Sequence, residues 1–116
     1  MAEQRHVRVG SIDIANDRPF ALIAGPCSIE SRAHALEMAV ALKEMTARLG
    51  IGLIYKSSFD KANRSSANTK RGVGMELGLQ ILADVREATG VPVLTDVHAP
   101  EQCAPTAAGV DLLQSP

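Results

Sequence analysis

The residues best suited to chemistry in this sequence stand directly after short apolar runs. Cys27 and Ser28 lie just beyond "FALIAG", Lys56 and Ser57 follow "IGLIY", Asp96 and His98 close "VPVLTDVH", and Gln114 and Ser115 follow "VDLL". If those runs are strands of one parallel sheet, all four clusters fall at carboxyl ends, where such folds bind their ligands. A solvated strand end is also commonly polar, so position alone does not make them a site.

The segment "KSSFDKANRSSANTKRG" gives the arrangement an electrostatic sign. Lys56, Lys61, Arg64, Lys70 and Arg71 face only Asp60, a net charge of +4 in a chain whose remainder carries −5. Such a concentration suits an anionic ligand. Arg64 can fork onto a phosphate or carboxylate, Lys56 and Lys61 offer point charges, and Asn63, Ser65 and Ser66 add neutral donors. A solvated basic loop has the same composition. Lys56 separates the two readings, because a lysine following "IGLIY" emerges from the sheet itself. No Walker loop is present, and "RGVGMELG" matches a glycine fingerprint only loosely.

Asp96 and His98 share a face by the two-residue period of a strand, so a carboxylate and an imidazole could point at one ligand. The alternative is a capping aspartate beside a surface histidine. His6 and His34 have no such placement and read as surface residues. Cys103, in a weak helical segment, reads as a small packed residue. Cys27 has three readings. A nucleophile needs a base that the local sequence does not identify, and a metal ligand needs partners, of which Asp96 and His98 are the mouth candidates; a buried thiol needs nothing.

The elements that would hold these residues follow from periodicity. "HVRVGSIDIANDRPF" alternates Val7, Val9, Ile12 and Ile14 with polar residues around Gly10, a short hairpin over about residues 6–18. Phe20 to Ala24 reads as a strand buried on both faces. After an N-cap expected at Ser31, Ala35, Met38, Ala39, Leu42, Met45 and Leu49 recur at helical spacing, and Gly50 is a natural stop. A second stripe runs through Met75, Gly78, Leu79, Leu82 and Val85 to Gly90. Pro100 and Pro105 confine a third helix to a short or broken piece. Alternating strands and helices imply a parallel sheet, either doubly wound or part of a (β/α)8 barrel. A complete barrel needs about 250 residues. The 116 residues present therefore read as one partial domain: a hairpin, then over residues 20–116 the first half of a barrel.

Composition narrows the partners. A net charge of −1 gives no general attraction to nucleic acid or anionic membranes, and 3% aromatics leave almost nothing for bases to stack on. Two separated cysteines suggest no disulfide framework, no apolar run approaches a membrane span, and the N-terminus lacks a signal peptide's apolar core. A cytoplasmic protein is expected.

Taken in order, "AGPCSIES", "YKSSFDKANRSS", "RGVGMELGLQIL", "GVPVLTDVHAPEQ" and "VDLLQSP" resemble the 3-deoxy-D-manno-octulosonate 8-phosphate synthase family over essentially the whole chain. "KANRSS" is the most specific of these. The related 3-deoxy-D-arabino-heptulosonate 7-phosphate synthases share a "GPCS" turn but carry a lysine-proline-arginine-threonine type of motif where this chain has "KANRSS", which makes them the alternative. A non-catalytic phosphosugar-binding half barrel that dimerises over its edges is a second alternative.

The resemblance implies a (β/α)8 barrel with an N-terminal hairpin closing its bottom. It also implies condensation of phosphoenolpyruvate with D-arabinose 5-phosphate and water, releasing phosphate, in lipopolysaccharide biosynthesis. On that basis Lys56 and Lys61 hold the carboxylate and phosphate of phosphoenolpyruvate, with Gln114 nearby. Asn63, Arg64 and Ser65 grip the phosphate of the sugar, while Asp96 meets its reacting end, and Lys61 and Asp96 are the catalytic candidates. Members with cysteine at the "GPCS" turn depend on a metal, so Cys27 is expected to ligate a divalent ion such as iron, zinc, cobalt or manganese. The family's other metal ligands belong to later strands that this chain lacks, and its members are usually tetramers. The chain is therefore expected to be a truncated form with little activity alone.

Overall fold

The computed structural model describes residues 5–60 and 73–115. Lys61, Asn63, Arg64, Ser65, Ser66, Lys70 and Arg71, named above as candidates, lie outside the described residues.

The first element is the expected hairpin, β1 (Val7–Val9) paired antiparallel with β2 (Ile12–Ile14). Gly10 turns it with a φ of 58°, a left-handed conformation that suits glycine. His6 ties the strands from outside, its Nδ1 2.9 Å from Asp13 Oδ2.

A four-stranded parallel sheet follows: β3 (Ala21–Ala24), β4 (Gly52–Lys56), β5 (Val93–Asp96) and β6 (Leu112–Gln114). The strands lie in chain order, β3-β4-β5-β6, without the reversal that marks a doubly wound sheet. Helix α1 (Arg32–Leu49) connects β3 to β4, and α2 (Met75–Thr89) precedes β5. A 3-10 turn at Pro100–Gln102 and the five-residue α3 (Cys103–Ala107) precede β6, the broken helix the two prolines imply.

Each helix is bounded as its sequence suggests. Ser31 Oγ accepts the His34 N–H at 3.1 Å to cap α1. Gly50 and Gly90 end α1 and α2 at φ 69° and 74°. The α1 stripe is shifted from its expected course. Ala35, Ala39 and Thr46 are buried, with Leu42 packed against the core, whereas Met45 is half exposed and Leu49 is 72% exposed. Positions 35, 39, 42 and 46 trace one helical face, and Met45 and Leu49 lie beside it. Thr46 can take the inward position because its hydroxyl donates to the Leu42 carbonyl at 3.0 Å.

The two faces of the sheet have separate cores. Leu53, Tyr55 and Val93 pack under α1 and α2 with Ala35, Ala39, Leu82 and Val85. On the opposite face Ile54 and Leu94 meet Val9, Ile12 and Ile14 of the hairpin. The hairpin lies toward the amino ends of the strands, for a Cβ at Gly10 would come within 2.8 Å of Pro92 and one at Gly52 within 3.1 Å of Ile12.

β3 departs from the expectation of burial on both faces. Ile23 is 48% exposed and Phe20, just outside the strand, 71%. It is the first strand of the sheet, and among the described residues no further strand flanks it. Ile23 is the register partner of Ile54 but lies beyond the part of that face the hairpin covers.

Candidate functional site

Strand register puts three of the predicted residues on one face. Lys56 lies two residues beyond Ile54, Asp96 two beyond Leu94 and Gln114 two beyond Leu112, so the hairpin-facing side of β4, β5 and β6 ends in a lysine, an aspartate and a glutamine. Asp96 and Gln114 are direct register partners, and Lys56 pairs with Leu94 one step back along the same face. The polar ends point away from the hairpin. This face is thus closed by apolar residues at one end and open to polar chemistry at the other.

His98 joins this group from just past the strand rather than on it, since β5 ends at Asp96. Its Nε2 stands 3.5 Å from Asp96 Oδ2, within ion-pair range. The His98 N–H donates to Gln102 Oε1 at 2.9 Å, and the Phe59 ring meets the imidazole edge-on at a centroid distance of 6.3 Å. Asp96 Oδ1 and His98 Nε2 are both buried atoms without a hydrogen bond of their own among the described residues. Buried polar atoms in that condition are costly, and a ligand with donors and acceptors would satisfy them.

Cys27 is exposed and not a buried thiol. Its turn is pinned to the segment beyond β4: the Ser58 N–H donates to the Cys27 carbonyl at 3.3 Å, the Ile29 N–H donates to the Ser58 carbonyl at 2.9 Å, and Ser28 bridges Ser58 in parallel. Gly25 permits this approach, for a Cβ there would fall 1.8 Å from the Lys56 carbonyl oxygen. Among the described residues no group of three or more histidines, cysteines, aspartates or glutamates could hold a metal ion. Cys27 offers a single soft donor and does not make a metal site by itself.

Two further expectations are corrected. Cys103 is exposed rather than packed, because it begins the short α3 and sits outside the core, with its Sγ 4.0 Å from the Ala99 carbonyl. His34 is half-buried on α1 rather than a surface residue, and its Nδ1 is enclosed without a hydrogen-bond partner among the described residues. Sequence patterns also pass over Phe59 and Gln102, which support His98, and Thr95, which faces away from Asp96. Only Thr95 carries a signal, a hydroxyl between Leu94 and Asp96 on the phase of β5 that faces the helices.

Tyr55, behind the site on the helix side of β4, is wholly buried. Burial pushes its phenol up to about 12, and the nearby Ser57 side chain offsets this only in part. It is a neutral wall of the core at any ordinary pH. No described helix is long and apolar enough to cross a membrane.

The chain is 58% identical over 110 residues to the 2-dehydro-3-deoxyphosphooctonate aldolases of Rhodopseudomonas palustris (strain BisB5) and Methylobacterium radiotolerans, and 57% identical to that of Brucella ovis. Each match covers 95% of this chain but only 38%, 39% and 40% of the respective relative. The chain thus spans about two fifths of the length of these curated relatives. That enzyme name is a synonym of the octulosonate phosphate synthases whose motifs the sequence resembles, and the similarity favours them over the heptulosonate synthases. Residues 2–116 also match the model of the DAHP synthetase I family. The chain belongs to the DAHP synthetase I family.

Proposed function

We propose that this chain forms the amino-terminal strands and half of the mouth of a (β/α)8 barrel whose whole protein condenses phosphoenolpyruvate with D-arabinose 5-phosphate and water. The reading is carried by one observation: in a chain of this family, Lys56, Asp96 and Gln114 end the same sheet face that the hairpin covers, at the end away from it. The sequential strand order supports the barrel.

Both substrates are anions, and the reaction joins C3 of the enol phosphate to the sugar aldehyde carbon while water adds at C2 and phosphate leaves. Positive charge fixed beside the anions and precise placement of the two carbons are the main requirements. Lys56, which forms no ion pair among the described residues, supplies a cation to the carboxylate or phosphate of phosphoenolpyruvate. Asp96 accepts hydrogen bonds from the sugar's reacting end, with Gln114 as a neutral neighbour. Lys61, Asn63, Arg64 and Ser65 would complete the anion contacts. Cys27 would contribute one ligand to a divalent ion, whose chemistry when bound is polarisation of a carbonyl or hydroxyl oxygen. Its remaining donors are not found among the described residues.

Calorimetric titration of the 116-residue chain with phosphoenolpyruvate tests the site. Binding is expected, and Lys56→Ala should weaken it by about tenfold or more, the loss of one charge-assisted contact. Equal affinity in the two proteins would remove Lys56 from the site. Phosphate release should depend on arabinose 5-phosphate and not erythrose 4-phosphate in any form that turns over. Turnover by this chain alone at roughly 1 s⁻¹ or more would refute the reading that it holds only half of the site.

A further inference from the structure

Lys56 and Asp96 end β4 and β5, and Cys27 lies three residues beyond β3. Backbone bonds run on past the strand ends, from the Ser57 N–H to the Leu94 carbonyl, the Ser58 N–H to the Cys27 carbonyl and the Ile29 N–H to the Ser58 carbonyl. Side-chain bonds on the far side of the sheet end join the same three segments. Thr95 Oγ1 donates to the Ser57 carbonyl at 2.8 Å, and Ser57 Oγ donates to the Pro26 carbonyl at 2.7 Å. Thr95 and Ser57 are 0% and 1% exposed. Each member of this relay adjoins a mouth residue in sequence, since Pro26 precedes Cys27, Ser57 follows Lys56 and Thr95 precedes Asp96.

We propose that Ser57 and Thr95 are positioning residues, whose buried hydroxyls set the placement of Cys27, Lys56 and Asp96 relative to one another. A hydroxyl enclosed by protein is costly unless bonded, and each has one proton to donate, so each favours one arrangement of its neighbouring strand end. The two links act in series across the three segments. Shifting the Cys27 turn breaks the Ser57 link, and shifting the end of β5 breaks the Thr95 link. The Ser57 N–H to Leu94 carbonyl contact, at 3.3 Å, is longer than either side-chain bond, as is the Ser58 N–H to Cys27 carbonyl contact at 3.3 Å. The hydroxyl bonds thus tie the three segments a second time, beside these contacts and the 2.9 Å bond from the Ile29 N–H to the Ser58 carbonyl. At Gly25 the turn already lies so close to the Lys56 carbonyl that no side chain fits between them. Functional groups need placement to roughly 0.5 Å, and that tolerance is met by neighbours that are themselves locked. The inference rests on the mouth being the substrate site.

The test uses the 116-residue chain carrying Cys103→Ser, so that Cys27 is its sole thiol. Ser57→Ala and Thr95→Val remove the hydroxyls with little change of volume, and Thr95→Ser restores one. Amide hydrogen exchange at Ser58 and Ile29, and the rate of Cys27 alkylation by neutral iodoacetamide, are compared with exchange at Ala39 and Leu82 in the helices. Loss of either hydroxyl should raise the rates at Ser58, Ile29 and Cys27 by about fivefold while the helix amides change by less than about twofold, and Thr95→Ser should restore the parent rates. Equal acceleration at all amides would show a merely structural role and overturn the proposal, as would unchanged rates at the turn. A phosphoenolpyruvate titration of the parent chain runs alongside. Absence of binding there would remove the substrate-site reading, while the exchange data would still decide whether the two hydroxyls hold the turn.

Discussion

Gly25→Ala is the most demanding single perturbation available at the mouth. An alanine Cβ would stand 1.8 Å from the Lys56 carbonyl oxygen, 2.8 Å from its carbon and 3.2 Å from its nitrogen. All three contacts are backbone, so no rotamer change can relieve them, and β3 must separate locally from β4. Overpacking a rigid site costs about 1–3 kcal/mol and occasionally more, and an immovable peptide belongs at or above the upper end. Gly50→Ala is the matched control. Nothing lies within 4 Å of its Cβ, but its φ of 69° would strain alanine by about 1 kcal/mol. For a small domain losing roughly 1.5 kcal/mol per molar urea, the two substitutions should lower the denaturation midpoint by about 2 M and below about 1 M respectively. Urea unfolding followed by circular dichroism gives both values. If Gly25→Ala costs no more than Gly50→Ala, the close approach of the Cys27 turn to the Lys56 backbone is wrong, and the positioning scheme built on it falls too.

Gly78→Ala should cost about 2 kcal/mol, because its Cβ would lie 2.4 Å from that of Phe59; a urea midpoint unchanged from the parent would contradict the packing of α2 on that residue. Tyr55 is the only tyrosine, and its folded-state value of about 12 lies above the unfolded value of 10.0. The stability tied to its neutral form is therefore fully present below pH 10 and lost as pH rises toward 12, by roughly 2 kcal/mol. Thermal midpoints measured from pH 9 to 12 should fall more steeply for the parent than for Tyr55→Phe, and tyrosinate absorbance should rise only near pH 12 or on unfolding. Asp111 Oδ2 accepts the Val93 N–H at 2.9 Å and meets Arg86 Nη1 at 3.2 Å. Asp111→Ala should cost about 1–2 kcal/mol, Asp111→Asn much less and Arg86→Ala under about 0.5 kcal/mol, because the backbone bond is the sheltered one; chemical unfolding of the three variants would reveal the reverse order if the ion pair dominated.

What could be read from the sequence divides along a physical line. The hairpin, the helix caps at Ser31, Gly50 and Gly90, and the break in the third helix depend on a few neighbouring residues, and all appear as expected. The exposure of Ile23 and Cys103, and the inward turn of Thr46, depend on which surface each element meets. Local hydrophobicity cannot state that. Met45 is the instructive case: more apolar than Thr46, it is displaced from the core because a threonine can return its hydroxyl to its own helix and an adjacent position cannot share the same face.

At the mouth the division is sharper. Lys56, Asp96 and Gln114 could be placed together because each follows an apolar run and so stands at a strand's carboxyl end; the structure adds that they share a face, for the period of two that buries Ile54 and Leu94 carries on to Lys56 and Asp96. Ser57 and Thr95 lie on the alternate positions, facing the helices, where the same rule predicts apolar residues. Each bonds to a carbonyl of a neighbouring segment, and nothing in a strand's own sequence names that partner. A hydroxyl on the apolar phase of a buried strand, beside a charged residue on the other phase, is therefore the one trace such a device leaves in the sequence. Here that trace occurs at both Lys56-Ser57 and Thr95-Asp96, the two points where the sheet passes from core to chemistry.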